Sequence, residues 1–315
     1  MSNEFIEIAI IGGGPAGLAA ALYASRGRAK TVVFERGIPG GQIVTTDWVE
    51  NYPGFPKGIS GQDLGDLMTK QAEEFGAVIR SFAPVETITM RPDGHFTITS
   101  EGEQFDADSV ILATGAVPRK LGVPGEAEFT GRGVSWCATC DGALFRDKVV
   151  AVVGGGDAAV EEALFLTKFA SRVHLIHRRD ELRATKCIQE RCMANPKMEM
   201  HYSRVVTEII GHEGKVSAVR LESTNGEPEE TLPLDGVFIF VGVHPVNELA
   251  GELVTLADNG YITIDHDGRT SVPGLFAAGD VTDSELKQVI TAAAKGASAA
   301  FEALRYIDET TSCSL

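Results

Sequence analysis

Two stretches of the chain carry the same order of apolar, glycine-rich and helix-forming positions. Residues 6–37 read IEIAIIGGGPAGLAAALYASRGRAKTVVFERG, and residues 149–180 read VVAVVGGGDAAVEEALFLTKFASRVHLIHRRD, with the first glycine of the two copies offset by 142 residues. Each copy has a β-branched apolar run, a glycine turn, an Ala/Leu-rich stretch of helical period and a second β-branched run. This order predicts a β-turn-α-β unit, twice. Two more apolar runs end in glycine turns: Val110 to Gly115 (VILATG) and Gly274 to Asp280 (GLFAAGD). Both read as buried strands that bring backbone close to a ligand. The pattern as a whole places the chain in the α/β class.

The glycine spacing gives the units a chemistry. Gly12-x-Gly14-x-x-Gly17, with Pro15 and Ala16 between, and Gly154-x-Gly156-x-x-Ala159, with Asp157 and Ala158 between, both follow a strand and open a helix. The first glycine allows the tight turn, the second lets backbone approach a pyrophosphate, and the third small residue packs helix on strand. The helix N-terminus then offers unpaired N–H groups and a positive dipole end to the phosphates. Such a glycine pattern occurring once is weak; two copies in the same context point to two dinucleotide sites.

The residue that ends the second strand separates the two sites. Glu35 lies 35 − 12 = 23 positions past the first glycine, where a carboxylate accepts hydrogen bonds from an adenosine ribose, so this unit suits FAD or NAD. The same offset in the second copy, 177 − 154 = 23, falls on His177, followed by Arg178, Arg179 and, further on, Arg183. Arginines there favour the 2′-phosphate of NADPH. The alternative is a solvated charged face in which they pair with Asp180 and Glu181. Asp280, at the end of an apolar strand, is a candidate ligand for a ribose or ribityl hydroxyl; the competing reading is an N-cap for a helix starting near Ser284.

Cys137 and Cys140 form a CxxC at a predicted helix start, in WCATCDG. That geometry lets the thiols bridge, and the helix terminus favours thiolate. Zinc needs about four ligands, and no second CxxC or paired-His motif accompanies this one, so no metal is expected. Asp141 is placed to take or return a thiol proton, or else is an ordinary helix-start carboxylate. Cys187 and Cys192 are expected to be packing residues, and Cys313 an incidental tail residue.

Composition narrows the partners. The chain has 315 residues, 43% hydrophobic, with 28 basic and 44 acidic side chains and a formal charge of −16. The length favours two domains, and the acidity argues against nucleic acid or anionic membrane. No apolar run approaches the roughly 20 residues of a membrane span, and the N-terminus lacks a secretory pattern, so a cytoplasmic protein is expected.

In this order and spacing the motifs resemble the low-molecular-weight thioredoxin reductases: GGGPAG at Gly12–Gly17, GGQI at Gly40–Ile43, ENYPGFP at Glu50–Pro56, ATG at Ala113–Gly115, CATCDG at Cys137–Gly142, GGGDAAVEEA at Gly154–Ala163, HRRDELRA at His177–Ala184 and AGDVTDSELKQVITAAAKG at Ala278–Gly296. The resemblance runs along nearly the whole chain. It implies two Rossmann-like three-layer domains, with an NADPH domain (118–246) inserted into a discontinuous FAD domain (1–117 and 247–315). Because the CxxC and the second glycine turn share the inserted segment and both need the flavin, that segment is expected to rotate about hinges near Val117–Pro124 and Gly242–Asn247. It implies FAD contacts from the first glycine turn, Glu35, Arg36, Gly41, Gln42, Asn51, Ala113, Thr114, Gly115, Gly279, Asp280, Lys287, Gln288 and Val289. NADPH contacts would come from Gly154, Gly156, Asp157, Ala158, Glu161, His177, Arg178, Arg179, Arg183 and Gly242. Cys140 would face the flavin, Cys137 would exchange with a thioredoxin-like protein, and Asp141 would be the acid/base. Homodimers are usual in that family. Two positions depart from its pattern: Ala158, where Ser or Thr is common, and Lys287, where Arg is common. A ferredoxin-driven or oxygen-coupled dithiol flavoenzyme without NADPH is the rival reading.

Overall fold

In a computed structural model that describes residues 4–46, 48–284 and 286–312, the last two without their side chains, the chain forms two compact units. One comprises Met1–Val117 and His244–Leu315, the other Pro118–Val243. The chain passes between them at Val117/Pro118 and at Val243/His244. Cys313 lies outside the described residues.

From its start the chain lays down β1 (Glu4–Ile11), α1 (Pro15–Arg26), β2 (Thr31–Phe34), α2 (Gly61–Glu74), β3 (Val78–Arg80), β4 (Val85–Met90), β5 (Phe96–Ser100), β6 (Glu103–Leu112) and the short β7 (Ala116–Pro118). The second unit follows with β8 (Val134–Ser135), α3 (Ala138–Asp141), β9 (Val149–Gly154), α4 (Asp157–Leu166), β10 (Arg172–Ile176), α5 (Lys186–Met193), β11 (Met198–His201), β12 (Arg204–His212), β13 (Lys215–Ser223), β14 (Glu230–Pro233) and β15 (Gly236–Phe240). After β16 (Val243–Pro245) the chain completes the first unit with β17 (Leu275–Ala277) and α6 (Val289–Ser312).

The first sheet runs β3-β2-β1-β6-β5-β4, with β17 added parallel to the end of β6. β1 pairs in parallel with both β2 and β6, so the glycine turn that follows it emerges at the carboxyl edge. One sheet face, with Ile8, Ile10, Val33, Ile111 and Phe276, packs on the alanines of α1 and α6. The helices are alanine-rich on their buried sides because they cross closely: a Cβ on Gly296 of α6 would sit 2.0 Å from the carbonyl oxygen of Ala16. The other face buries Phe34, Phe96, Ile98 and Phe105 against Ala250, Val254 and Ile262, each large side chain contributing about 1.5–3 kcal/mol. Ser60 caps α2, accepting the Asp63 N–H at 3.0 Å.

The second unit has a parallel sheet of order β11-β10-β9-β15-β8. Helices cover one face, where Val150, Val152, Leu175 and Phe238 meet Val160, Ala163 and Leu166. The antiparallel β12-β13-β14 sheet covers the other, where Ala151, Val153 and Ile176 meet Ile209, Val219 and Leu232. Each unit is therefore a layered α/β structure with its own core.

Candidate functional site

In the first unit the glycines are required by close approach. Gly12 has φ +106°, and a Cβ there would lie 2.4 Å from the Ala113 carbonyl oxygen; a Cβ on Gly17 would lie 1.8 Å from the Gly12 oxygen. Gly14 is the N-cap of α1 with no side-chain cap, followed by Pro15 at the first turn. The leading N–H groups of the helix are thus left for a ligand. Over this turn Glu35 spans two backbone amides, accepting Gly13 N–H on Oε2 at 2.7 Å and Gly37 N–H on Oε1 at 2.8 Å. An ionised carboxylate has about four acceptor positions, so the fixed Glu35 retains acceptor capacity for two vicinal hydroxyls.

Other expected FAD residues gather around that turn. A Cβ on Gly41 would lie 2.9 Å from Gly14 Cα, and one on Gly279 2.8 Å from Ala16 Cβ. Gln42 donates to the Ala116 carbonyl, Thr114 donates to the Val246 carbonyl at 2.5 Å, and Gly115 has φ +74° with open space beside it. Asn51 Nδ2 donates to Gln288 Oε1 at 3.0 Å across 237 positions of sequence. Val289 begins α6 and packs with Ile43, Val49, Ile59 and Leu64. Arg36 is exposed and makes no ion pair among the described residues.

Asp280 lies in a short 3₁₀ turn, Gly279–Val281, while the following helix starts only at Val289. The N-cap reading is therefore set aside. Burial raises its pKa above 3.8, and Lys287 and Lys295 pull the other way. Lys287 Nζ is buried with no hydrogen-bond partner and stands 4.1 Å over the Tyr261 ring; burial lowers its pKa, against the pull of Asp280. A buried ammonium without an acceptor, beside a half-buried carboxylate, suits an anionic, hydroxyl-rich ligand such as FAD. Lys295, which donates to Thr282 Oγ1 at 2.8 Å, and Tyr261 were not singled out by sequence. Neither belongs to a local pattern that signals a ligand.

The second unit repeats the turn with other chemistry. Gly154 has φ +157°, and a Cβ there would lie 2.5 Å from the Phe240 carbonyl oxygen. Gly156 caps α4 without a side-chain hydrogen bond, and the nearest atom to a Cβ there would be Arg183 Nη2 at 3.9 Å. His177 takes the place Glu35 has in the first unit: it packs against Gly155, whose Cβ would meet Nδ1 at 2.2 Å. It is buried, with Nε2 unpartnered. Burial lowers its pKa, a hydrogen bond with the Glu181 backbone raises it, and Arg183, Arg179 and Arg178 lower it further. A neutral ring thus supports the turn. Arg178, Arg179 and Arg183 are exposed, and among the described residues none is ion-paired with Asp180 or Glu181. That arrangement leaves the guanidiniums for an external anion.

Asp157 Oδ1 accepts Thr185 N–H at 2.7 Å, tying α4 to the start of α5; Ala158 and Glu161 are exposed on α4. Gly242, exposed with φ +121°, accepts the Arg119 N–H at 2.9 Å and has the Arg119 side chain alongside. Arg119 was not expected from sequence, because its link to the site is this long-range backbone pair.

Cys137 and Cys140 are joined in a disulfide, with Cα atoms 5.3 Å apart. Cys137 is the N-cap of the four-residue α3. Its Sγ accepts Cys140 N–H at 3.2 Å and lies 3.3 Å from Thr139 Oγ1. These donors stabilise negative charge on Cys137 after reduction. Asp141 follows directly, half-buried, its N–H donating to the Cys137 carbonyl at 3.1 Å. Of the remaining described cysteines, Cys192 packs in the core, its thiol pushed up to about 11 by burial. Cys187 is exposed, so the packing expectation holds for one of the two.

Residues 6–296 match the pyridine nucleotide-disulphide oxidoreductase family. A thioredoxin reductase of Listeria innocua is 45% identical over 309 residues, covering 98% of this chain and 95% of its own. One from Peptoclostridium acidaminophilum is 47% identical, covering 98% of both chains. Among solved structures, the thioredoxin reductase of Streptococcus pyogenes superposes with a TM-score of 0.92 at 44% identity over 98% of this chain and 100% of its own. That of Giardia duodenalis gives 0.89 at 39%, over 97% and 100%.

Proposed function

The chain belongs to the pyridine nucleotide-disulphide oxidoreductases, and from that premise we propose that it is an NADPH-dependent, FAD-containing thioredoxin-disulfide reductase. The observation that carries this reading is the Cys137–Cys140 disulfide borne on the same unit as a second dinucleotide turn flanked by exposed, unpaired arginines.

Bound FAD supplies the conversion of two-electron hydride chemistry from NADPH into reduction of a disulfide. The chain's own residues do the rest. The α1 N-terminus and Gly14 would hold the FAD pyrophosphate, Glu35 the adenosine ribose, and Asp280, with Lys287 and Lys295, the ribityl side. Asn51 and Gln288 brace each other. In the second unit the α4 N-terminus would hold the NADPH pyrophosphate, with Arg178, Arg179 and Arg183 at the 2′-phosphate. Reduction cleaves the Cys137–Cys140 bond. The Cys137 thiolate, stabilised by the Cys140 N–H and the Thr139 hydroxyl, attacks one sulfur of the thioredoxin disulfide and displaces the other as a thiolate. Asp141 supplies the proton that this thiolate takes up. Cys140, its thiol proton passed to the Asp141 carboxylate, then attacks Cys137 Sγ and displaces the second thioredoxin sulfur as a thiolate, which takes up that proton; dithiol thioredoxin leaves and the internal disulfide is restored.

No helix among the described residues is long and apolar enough to cross a membrane. Our reading places the enzyme in the cytoplasm as a homodimer, which sedimentation of the FAD-loaded protein tests. The direct test of function is anaerobic titration with NADPH and, separately, NADH while following the flavin band, then addition of thioredoxin. Bleaching by NADPH at far lower concentration than NADH, with reduced thioredoxin formed, is expected. A flavin that neither nucleotide bleaches overturns the nicotinamide reading in favour of a ferredoxin-driven or oxygen-coupled dithiol enzyme.

A further inference from the structure

Three side chains with metal-binding atoms converge on one face of the second unit's parallel sheet. His174 lies on β10, and Glu199 and His201 lie on the neighbouring edge strand β11. The parallel register sets His174 opposite Glu199 and Ile176 opposite His201. Because side chains two apart on a strand share a face, all three point to the same side. His174 Nδ1 and His201 Nε2 are 3.0 Å apart. Glu199 reaches both, with Oε2 3.8 Å from His174 Nδ1 and Oε1 3.8 Å from His201 Nε2.

Nitrogen ligands about 2.0–2.1 Å from a tetrahedral ion are roughly 3.3 Å apart. The two ring nitrogens therefore need only a few tenths of an ångström of adjustment to close on one ion, and a Glu199 oxygen lies within 4.8 Å of both. His174 is 4% exposed, and a buried imidazole is held in place by its neighbours. Arg172 Nη1 holds Glu199 Oε2 at 3.0 Å, the outer-shell support that fixes a ligating carboxylate, and Oε1 remains for the ion. A surface cleft that includes Ser171, Leu232 and Pro233 borders His174 and Glu199, giving an ion an entry path and room for water as a further ligand.

We propose that His174, Glu199 and His201 form a binding site for one divalent transition-metal ion, with Zn²⁺ favoured over Mg²⁺ or Ca²⁺. Two imidazoles and one carboxylate suit zinc and its neighbours, whereas magnesium and calcium take mainly oxygen ligands. The Arg172 charge opposes a cation, so affinity falls below that of a structural zinc site. Binding ties the edge strand β11 to β10 and stabilises the folded unit by mass action.

The test is calorimetric titration of ZnSO₄ into metal-free, FAD-loaded, full-length protein without a histidine tag. The protein is kept oxidised so that Cys137 and Cys140 stay bridged, and the exposed Cys187 is alkylated. One equivalent of Zn²⁺ is expected to bind and to raise the melting temperature, with no heat from MgSO₄. His201→Gln and Glu199→Gln, on the edge strand, are each expected to weaken binding about 10-fold or more. Asp265→Asn, in the exposed Asp265-His266-Asp267 cluster, should leave it unchanged. Absence of stoichiometric binding overturns the proposal, as does an unaltered affinity in folded, flavin-loaded His201→Gln.

Discussion

The Glu35 carboxylate accepts the N–H of Gly13, the second residue of the glycine turn, at 2.7 Å. One side chain thus fixes the turn and retains acceptor capacity for the adenosine ribose of the proposed FAD site. Glu35→Ala removes both functions. A hydrogen bond to a charged group is worth about 1.5–3 kcal/mol, so FAD affinity is expected to fall by about 10- to 100-fold, read from flavin fluorescence on dilution. Retention of FAD at wild-type strength would remove Glu35 from the site.

Arg178 and Arg179 are exposed at the strand end where the first unit has its carboxylate. Replacing both by Ala removes charge-assisted bonds to a 2′-phosphate that NADH does not have. The KM for NADPH should rise about 10- to 100-fold while that for NADH changes little. Equal rises for the two nucleotides would mean that the arginines act through the turn rather than on the phosphate.

The glycine turns, the CxxC and the offset of 23 residues were legible because each is a local pattern with a steric cause. Gly17 must be glycine because a Cβ would lie 1.8 Å from the Gly12 oxygen, and sequence spacing carries that requirement. His177 was legible as a position but not as a state: that it is buried, neutral and packed on Gly155 follows from the strand end around it. Asp280 stayed ambiguous because N-cap and ligand carboxylates look alike until the start of the next helix is placed. Lys295, Tyr261 and Arg119 were not visible, since their neighbours are distant in sequence. The His174-Glu199-His201 group depends on a register between strands that sequence alone leaves open.

Cys137 Sγ accepts the Cys140 N–H and lies beside the Thr139 hydroxyl, and a trapping experiment tests the separate roles proposed for the two cysteines. In Cys140→Ser the resolving thiol is gone, so Cys137 should hold a mixed disulfide with thioredoxin, visible as an adduct by mass spectrometry. Cys137→Ser should give no such adduct, and both should lose essentially all turnover. An adduct through Cys140 in Cys137→Ser would reverse the assignment.

Gly296 of α6 lies against the Ala16 carbonyl at the start of α1, with 2.0 Å available to a Cβ. Gly296→Ala must push the two helices apart, and overpacking of this kind costs about 1–3 kcal/mol. Because Ala16 belongs to the turn expected to hold FAD, the variant should lose FAD affinity along with stability. A variant that melts lower but binds FAD normally would show that the strain is absorbed in α6.

Asp280 sets ligand binding against the stability of the protein without FAD. Its pKa is raised above 3.8 chiefly by burial, with Lys287 and Lys295 opposing. A carboxyl whose folded pKa is raised contributes stability that is fully present below its unfolded value and is lost as pH rises through the folded value. Above pH 3.8 the raised pKa of Asp280 therefore weakens the apoprotein. Asp280→Asn keeps the shape without the charge, so the apo variant should melt above wild type at pH 7. The gap should open as pH rises above 3.8 and stop growing once pH passes the raised value. The same variant should bind FAD about 10-fold or more weakly, because Asn offers a ribityl hydroxyl a weaker acceptor than carboxylate. Thermal melts of apoprotein from pH 5 to 8, paired with FAD titration, separate the two effects; an apo variant that melts below wild type throughout that range would show that the lysines, not burial, dominate at this carboxylate.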